Sequence, residues 1–148
     1  MIVGVGTDIV ELKRVEKACG QKAFFTRCFT VREQEEMNRT ENGSGRRAQL
    51  AAGDFAVKEA VAKALGSGFR GFRPGDIEVL RNELGAPYVT LFGGAKTRAG
   101  QLAVTHWHVS ISHTDTVVIA FAVAESRADG PKEVCNRAEM EEIGRAHV

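Results

Sequence analysis

Residues 53–72, "GDFAVKEAVAKALGSGFRGF", predict the helix around which the rest of the chain is organised. Apolar side chains recur at helical spacing here and upstream, so the pattern predicts a long helix over residues 47–65. Gly66 suits the left-handed C′ position at which many helices end. The apolar stripe of this helix consists of Leu50, Val57, Val61 and Ala64.

The polar residues of this helix are the first candidates for chemistry. Lys58, Glu59 and Lys63 fall within two turns, with Glu59 about 200° around the helix axis from Val57. One interpretation is a surface ion pair between Glu59 and Lys63, worth about 0.3–0.5 kcal/mol. The other is a phosphate-handling site, in which Lys63 reaches a phosphate oxygen and glycines admit the ligand to the backbone. Those glycines are Gly66, Gly68 and Gly71.

The opening stretch, "MIVGVGTDIV", predicts a strand because its residues alternate between two faces. Gly4 and Gly6 indicate that another element approaches this strand closely. Asp8 is the exception in an apolar strand, where a carboxylate must be paired, protonated or metal-bound. It either caps the helix that starts near Val10 or forms a site with Glu59. Two carboxylates on separate elements are what Mg²⁺ takes when substrate phosphates and water complete its shell.

The remaining pattern predicts helices interleaved with mostly antiparallel strands. A helix follows the first strand and stops at Gly20, and Thr30 with Glu33 forms a capping-box signature for another helix. "NRTENGSGRR" predicts a polar loop. "DIEVL" and "PYVTL" predict a hairpin, "GGAKTRAGQLA" a short helix, and "HWHVSISH" with "TVVIAFAVA" two strands around a tight turn. The expected fold class is α+β, a single domain with a mostly antiparallel sheet packed on the long helix.

Composition limits the classes of function. The chain of 148 residues is long enough for one domain with its own core, and its net charge of +1 does not favour a nucleic-acid partner. No long apolar run or signal peptide is visible and the three cysteines are widely spaced, so we expect a cytoplasmic protein with free thiols and no membrane partner. Residues 10–32 contain six basic and two acidic side chains. This basic patch is either a solvated helix face or a surface for an acidic partner.

The stretch "HVSISHT" adds polar groups near the end of a strand. Ser110, Ser112, His113 and Thr114 either line a ligand cleft or form the solvated face of an edge hairpin. A Ser–His nucleophile pair is disfavoured, because no G-x-S-x-G elbow or orienting acid is visible. The P-loop and Rossmann glycine signatures are also missing, so the usual nucleotide sites are unsupported.

Five motifs, in this order along the chain, resemble the holo-[acyl-carrier-protein] synthase family of small bacterial 4′-phosphopantetheinyl transferases. They are "GVGTDIVELKRV", "RCFTVREQEEM", "FAVKEAVAKALGSG", "NELGAPYVTLFGGA" and "HVSISHT". The resemblance covers residues 1–124, which we interpret as the transferase domain. Residues 125–148 are then a charged C-terminal extension, for which a helix is one option.

The resemblance implies an enzyme that transfers the phosphopantetheine arm of coenzyme A to a serine of apo-acyl carrier protein, with Mg²⁺ as cofactor and adenosine 3′,5′-bisphosphate as product. By match to the family motifs, Asp8 and Glu59 hold the metal ion and Lys63 neutralises the leaving phosphate. The base that takes the serine proton is either Glu59 or a water molecule on the metal ion. Besides Lys63, the positions implied to bind coenzyme A are Gly66, Pro87, His113 and Thr114.

The resemblance also implies a homotrimer with active sites at subunit interfaces, and a basic first helix that docks the acidic carrier protein. Docking would involve Arg14, Lys17, Lys22 and Arg27. Asp54 departs from the family pattern, because relatives often carry an arginine there; a contact with the coenzyme or carrier is therefore in doubt. Two rival interpretations are a Mg²⁺-dependent nuclease that uses the same carboxylates, and a non-catalytic module that binds an acidic partner.

Overall fold

The computed structural model describes residues 1–128, which form an α+β fold. Its helices and strands, in chain order, are β1 (Ile2–Glu11), α1 (Leu12–Cys19), α2 (Lys22–Cys28), α3 (Val31–Met37), α4 (Gly43–Ala64), β2 (Ile77–Arg81), β3 (Pro87–Leu91), α5 (Gly93–Gln101), β4 (His106–His113) and β5 (Val117–Glu125). Short 3₁₀ helices cover Thr40–Asn42 and Pro74–Asp76. The expected fold class is confirmed, and the predicted helices and strands occur in the predicted order, whereas α2 was not predicted.

All strand pairs within residues 1–128 are antiparallel, and they form two sheets. The larger sheet has the order β1-β5-β4, and β2 pairs with β3 as the predicted hairpin. Asp8 is paired with Ala120, and Ala120 with Ile111, so these residues form one row that points to one face of the sheet. Helix α4 packs on that inner face. The outer face exposes apolar side chains: Val5, Ile9, Ile119 and Phe121.

The two glycines of β1 allow α4 to lie directly on the strand. A Cβ atom on Gly4 would lie 1.9 Å from the carbonyl oxygen of Ala64, and one on Gly6 would lie 1.8 Å from that of Ala60. No side chain fits into these distances. The close approach that the sequence predicts for this strand is therefore confirmed, and the approaching element is α4.

Helix α4 differs from the prediction at its start. It begins at Gly43, so the second half of the predicted polar loop is helical. Glycine and serine are weak helix formers, which is why the sequence favours a loop here. Tertiary contact overrides this tendency: the guanidinium of Arg47 lies 5.4 Å from the ring centre of Phe25 and ties the first turns to α2. Burial also extends well beyond the predicted apolar stripe of α4.

Other local predictions hold. Thr30 and Glu33 form the capping box of α3, with both reciprocal hydrogen bonds present. Gly66 has a φ of 74°, and its N–H donates to the carbonyl of Lys63 at 2.9 Å. No helix within residues 1–128 combines the length and apolar character needed to cross a membrane. The expected C-terminal extension lies largely outside the described residues, and its domain boundary stays a prediction.

Candidate active site

A cavity of about 540 Å³ lies between β1, the first two helices and α4. We call it the carboxylate cleft. Its volume is within the range of about 300–1,000 Å³ that is usual for small-ligand sites. Its lining combines carboxylates with an arginine and an aromatic wall, and includes Asp8, Arg14, Phe24, Phe55 and Glu59.

Asp8 reaches this cleft from β1 with its side chain 16% exposed. Lys63 Nζ donates to Asp8 Oδ1 at 3.2 Å and to the Thr7 carbonyl at 2.9 Å. The alternative role of Asp8 as a helix cap is wrong, because α1 begins at Leu12 and Glu11 occupies its N-cap. Asp8 can therefore act as an ion-pair partner or a metal ligand.

Glu59 enters the carboxylate cleft from α4. Burial, followed by the negative charge of Asp8, raises the pKa of Glu59, while Lys63 lowers it. The two acids therefore lie near enough to influence each other across two separate elements. Lys63 is ion-paired with Asp8, so the interpretation as a simple Glu59–Lys63 surface pair does not describe its contacts within residues 1–128. In the same residues, no group of three or more His, Cys, Asp or Glu side chains is placed to hold a metal ion.

A second, smaller cavity of about 190 Å³ contains two of the positions expected to bind coenzyme A. We call it the arginine cleft. It lies between the start of α4, the β2–β3 hairpin and the end of β4. Its lining includes Arg46, Arg81, Pro87, Ser110 and His113. The structure thus brings Pro87 and His113 together, and adds two arginines that the sequence analysis did not select.

The remaining expected coenzyme contacts lie outside the lining of either cavity. Thr114 shapes the β4–β5 turn, since its hydroxyl oxygen accepts hydrogen bonds from the N–H groups of Thr116 and Val117. Gly66 lies just beyond the end of α4, about one turn after Lys63. Both residues therefore have a local structural role, and the coenzyme contacts that the resemblance implies for them stay predictions.

Among the residues that the structure describes, none lines both clefts. His113 is paired with Val118 on β5, and Val118 with Val10 on β1. Two strand spacings, or roughly 10 Å, therefore separate the backbones at the two edges of the sheet. A ligand that touches both sets of residues must span the sheet or lie between two copies of the chain.

The predicted docking residues form an exposed basic surface on α1 and α2. Arg14, Lys17, Lys22 and Arg27 are all exposed, and Arg14 also lines the carboxylate cleft. The basic surface is thus continuous with the rim of the cavity that contains Asp8.

Lys58 does not belong to the polar group in which the sequence places it. Its side chain is fully buried, and Nζ donates to Glu33 Oε1 at 2.9 Å, to the Pro74 carbonyl at 2.9 Å and to the Ile77 carbonyl. All three ammonium donors are used. The available signal was that Lys58 adjoins the apolar stripe of α4, where a charge needs a buried partner.

Asp54 is also buried, which changes the meaning of its departure from the family pattern. Its side chain is fully buried, and Arg81 Nη1 donates to Asp54 Oδ1 at 2.6 Å. A direct contact with a carrier protein is therefore not available to Asp54. Sequence spacing alone does not reveal this pair, because Arg81 lies on a different element, β2.

A family model described as the 4′-phosphopantetheinyl transferase superfamily matches residues 4–122. The chain belongs to this superfamily. The holo-[acyl-carrier-protein] synthase of Lachnoclostridium phytofermentans is 45% identical over 125 residues, which are 84% of this chain and 97% of that protein. The solved synthase of Neisseria meningitidis matches with a TM-score of 0.75 and 33% identity, over 85% of this chain and 100% of that one. The synthase of Bacillus anthracis, solved in complex with CoA (3′,5′-ADP), matches with a TM-score of 0.71 and 34% identity, over 86% of this chain and 99% of that one.

Every residue that lines the carboxylate cleft or the arginine cleft lies inside the segment matched by the phosphopantetheinyl transferase model. The family match and the named relatives confirm the resemblance and the expected class of enzyme. A nuclease and a non-catalytic module are both less consistent with membership of a transferase superfamily.

Proposed function

We propose that this transferase moves the 4′-phosphopantetheine group from coenzyme A to a serine of apo-acyl carrier protein, depends on Mg²⁺ and releases adenosine 3′,5′-bisphosphate. The names of the relatives support the reaction, and the coenzyme in the Bacillus anthracis structure supports the donor. The observation that carries the proposal is that Asp8 and Glu59 both line the carboxylate cleft and that Lys63 is ion-paired with Asp8.

Asp8 and Glu59 fit a magnesium ion. Their carboxylates are near enough for the charge of Asp8 to raise the pKa of Glu59. One or two protein carboxylates, completed by substrate phosphates and water, are the usual ligands of Mg²⁺ in enzymes. When bound there, Mg²⁺ supplies positive charge to the diphosphate oxygens of the coenzyme.

In the proposed reaction, the serine oxygen of the carrier forms a bond to the β-phosphorus of coenzyme A. The bond between that phosphorus and the bridging oxygen breaks, and its electron pair leaves with adenosine 3′,5′-bisphosphate. Lys63 is half exposed and ends beside Asp8, so its ammonium group can neutralise the leaving phosphate. The raised pKa of Glu59 makes it a better proton acceptor than an ordinary surface glutamate. A water molecule is the other candidate base, since Glu59 is also a candidate metal ligand.

We assign part of the coenzyme to the arginine cleft, where Pro87 and His113 lie. Its volume of about 190 Å³ is smaller than the roughly 300 Å³ that a drug-sized ligand usually needs. The cleft therefore suits a phosphate or a base rather than the whole coenzyme. We retain Gly66 and Thr114 as proposed contacts because each adjoins a stronger candidate, Lys63 or His113.

We further propose a homotrimer with active sites at the subunit interfaces. The outer face of the large sheet exposes Ile9 by 65%, Val5 by 50% and Phe121 by 42%, which is unusual for large apolar side chains on neighbouring strands. Copies of this chain packed on that face would bury these residues and bring the carboxylate cleft of one chain near the arginine cleft of the next. Sedimentation equilibrium tests this assembly; an active monomer would contradict it.

The proposed carrier partner is acidic and docks on the basic surface of α1 and α2. Arg14 connects that surface to the carboxylate cleft, so a bound carrier would present its serine near Asp8. Complementary charge of this kind mainly raises the association rate. We also propose a cytoplasmic location, in keeping with the free thiols of Cys19 and Cys28.

Mass spectrometry tests the proposed function directly. Apo-acyl carrier protein incubated with this protein, coenzyme A and Mg²⁺ should gain the mass of one phosphopantetheine group. A chelator, Asp8→Asn or Glu59→Gln should abolish the gain. A carrier whose mass stays unchanged under all conditions would refute the proposal, and full activity of both variants would refute the assigned site.

A further inference from the structure

A buried charge network adjoins the arginine cleft. Arg81 Nη1 donates to Asp54 Oδ1 at 2.6 Å and to Glu36 Oε1 at 3.0 Å. The side chains of Arg81 and Glu36 are 11% and 14% exposed, and that of Asp54 is fully buried. Because a single guanidinium nitrogen serves both carboxylates, the other N–H groups of Arg81 are not committed to them.

The same arginine lines the cavity. Within the described residues, the lining of the arginine cleft contains Arg46, Arg81 and His113 and no acidic side chain. Gly53 leaves room for the guanidinium, since a Cβ atom there would lie 3.1 Å from Nη2 of Arg81. A guanidinium that is held by buried partners and faces a small cavity is well suited to an anion.

The carboxylate of Asp54 is only partly satisfied by hydrogen bonds in this network. Its Oδ2 atom is buried without a hydrogen-bond partner in the part of the chain that the structure describes. Burial raises the pKa of Asp54 to about 7, although Arg81 and Lys58 lower it; Glu33 raises it further. Arg81 and Glu36 cancel each other, so the network is neutral when Asp54 is protonated and carries one negative charge when Asp54 is ionised.

We propose that Arg81 binds a phosphate group of the coenzyme in the arginine cleft, and that Asp54 limits this binding by offsetting the charge of the guanidinium. Arg81 is then a binding residue, and Asp54 is a positioning residue that acts through it. The proposal rests on the proposed function, because coenzyme A is the assumed ligand. It predicts that the affinity for the coenzyme depends on the ionisation of Asp54.

Calorimetric titration of the full chain in the presence of Mg²⁺ tests this dependence. The affinity is measured at pH 6 and pH 8, with coenzyme A and with dephospho-coenzyme A as probes. At pH 8, Asp54→Asn should bind coenzyme A roughly three- to tenfold more tightly than the unaltered protein, because one nearby negative charge is removed. At pH 6 the two proteins should bind alike, because Asp54 is then protonated. The comparison cancels the titration of the ligand phosphate, because both proteins meet the same ligand.

Two further variants make the test specific. Glu35→Gln removes one exposed charge from the same helix as Glu36 and should leave the affinity unchanged. Asp54→Asn/Glu36→Gln/Arg81→Gln removes all three charges of the network together, so that neither carboxylate is left without its partner, and should bind coenzyme A roughly tenfold or more weakly than Asp54→Asn alone. A loss of the effect with dephospho-coenzyme A would identify the 3′-phosphate as the bound group, and its persistence would identify the diphosphate.

Equal affinities of Asp54→Asn and the unaltered protein at pH 8, or of the triple variant and Asp54→Asn, would overturn the inference. Neither result would affect the proposed function if coenzyme A still binds and the carrier is still modified. Failure of the unaltered protein to bind coenzyme A would instead refute the proposed function.

Discussion

Replacing Asp54 with asparagine should change the pH dependence of stability in a defined direction. Burial raises the pKa of this carboxyl group from 3.8 to about 7 in the folded protein. Between these values the folded state holds a proton that the unfolded chain has released. The free energy of unfolding of the unaltered protein therefore falls as pH rises toward 7, and this contribution levels off above it.

The size of the effect follows from the same values. Well below pH 7 the folded state loses about 1.36 kcal/mol of stability per pH unit from this group, and the slope falls to about half of this at pH 7, so the total loss from pH 5 to pH 8 is roughly 2–3 kcal/mol. The asparagine side chain of the Asp54→Asn variant does not titrate. The free energy of unfolding of this variant minus that of the unaltered protein should therefore increase by the same amount between pH 5 and pH 8.

Urea unfolding at pH 5, 6, 7 and 8, at one protein concentration, measures this difference. Glu35→Gln, on the surface of α3, is the matched control and should run parallel to the unaltered protein. A difference between Asp54→Asn and the unaltered protein that stays constant with pH would refute the reasoning. It would mean that the ion pair with Arg81 keeps Asp54 ionised despite its burial.

Other perturbations test the fold and the site separately. Lys58→Met leaves the buried Glu33 carboxylate unpaired and should lower the free energy of unfolding by about 3–5 kcal/mol. Adding Glu33→Gln to this variant should recover part of the loss, and urea unfolding that shows no recovery would contradict the pairing. Gly6→Ala should lower the free energy of unfolding by about 3 kcal/mol or more, because its Cβ would lie 1.8 Å from a carbonyl oxygen of α4. At Gly45 an added Cβ meets nothing within 4 Å among the described residues, so Gly45→Ala should be tolerated, and equal melting temperatures of the two variants would argue against the contact. Binding of Mn²⁺ in the presence of coenzyme A, followed by electron paramagnetic resonance, should weaken as the pH is lowered, because the raised pKa of Glu59 lets protons compete at a higher pH than for an ordinary glutamate. A profile that does not change with pH would count against Glu59 as a ligand. Carrier affinity should fall steeply with added salt, and an affinity independent of salt would count against the basic docking surface.

The sequence predicts most of the fold because its local signals agree. Glycines in a short apolar strand, the capping box at Thr30 and the terminal glycine at residue 66 each specify a local conformation that the structure contains. The predicted start of α4 was wrong, because the first turns of this helix are stabilised by the contact between Arg47 and Phe25, which are far apart in sequence. Local propensity contains no information about such a contact.

The residues of the candidate site are also only partly predictable from the sequence. Asp8 stands out in the sequence because a carboxylate in an apolar strand requires a partner, and Lys63 and Glu59 share one helix at a recognisable spacing. Arg81 and Asp54 give no such signal, since each is an ordinary charged residue in its own segment. Their relationship depends on how β2 packs beside α4, which spacing along a single element does not reveal.

The contact of β1 with α4 has a consequence for how this protein tolerates mutation. Bare backbone meets backbone at Gly4 and Gly6, so the separation between the strand bearing Asp8 and the helix bearing Glu59 is fixed by main-chain dimensions. Substitutions elsewhere in the interior can exchange one volume for another without altering that separation. An added methyl group at either glycine would push the strand and the helix apart and separate the two acids. These two positions should therefore accept the least variation, although neither is among the lining residues of the carboxylate cleft.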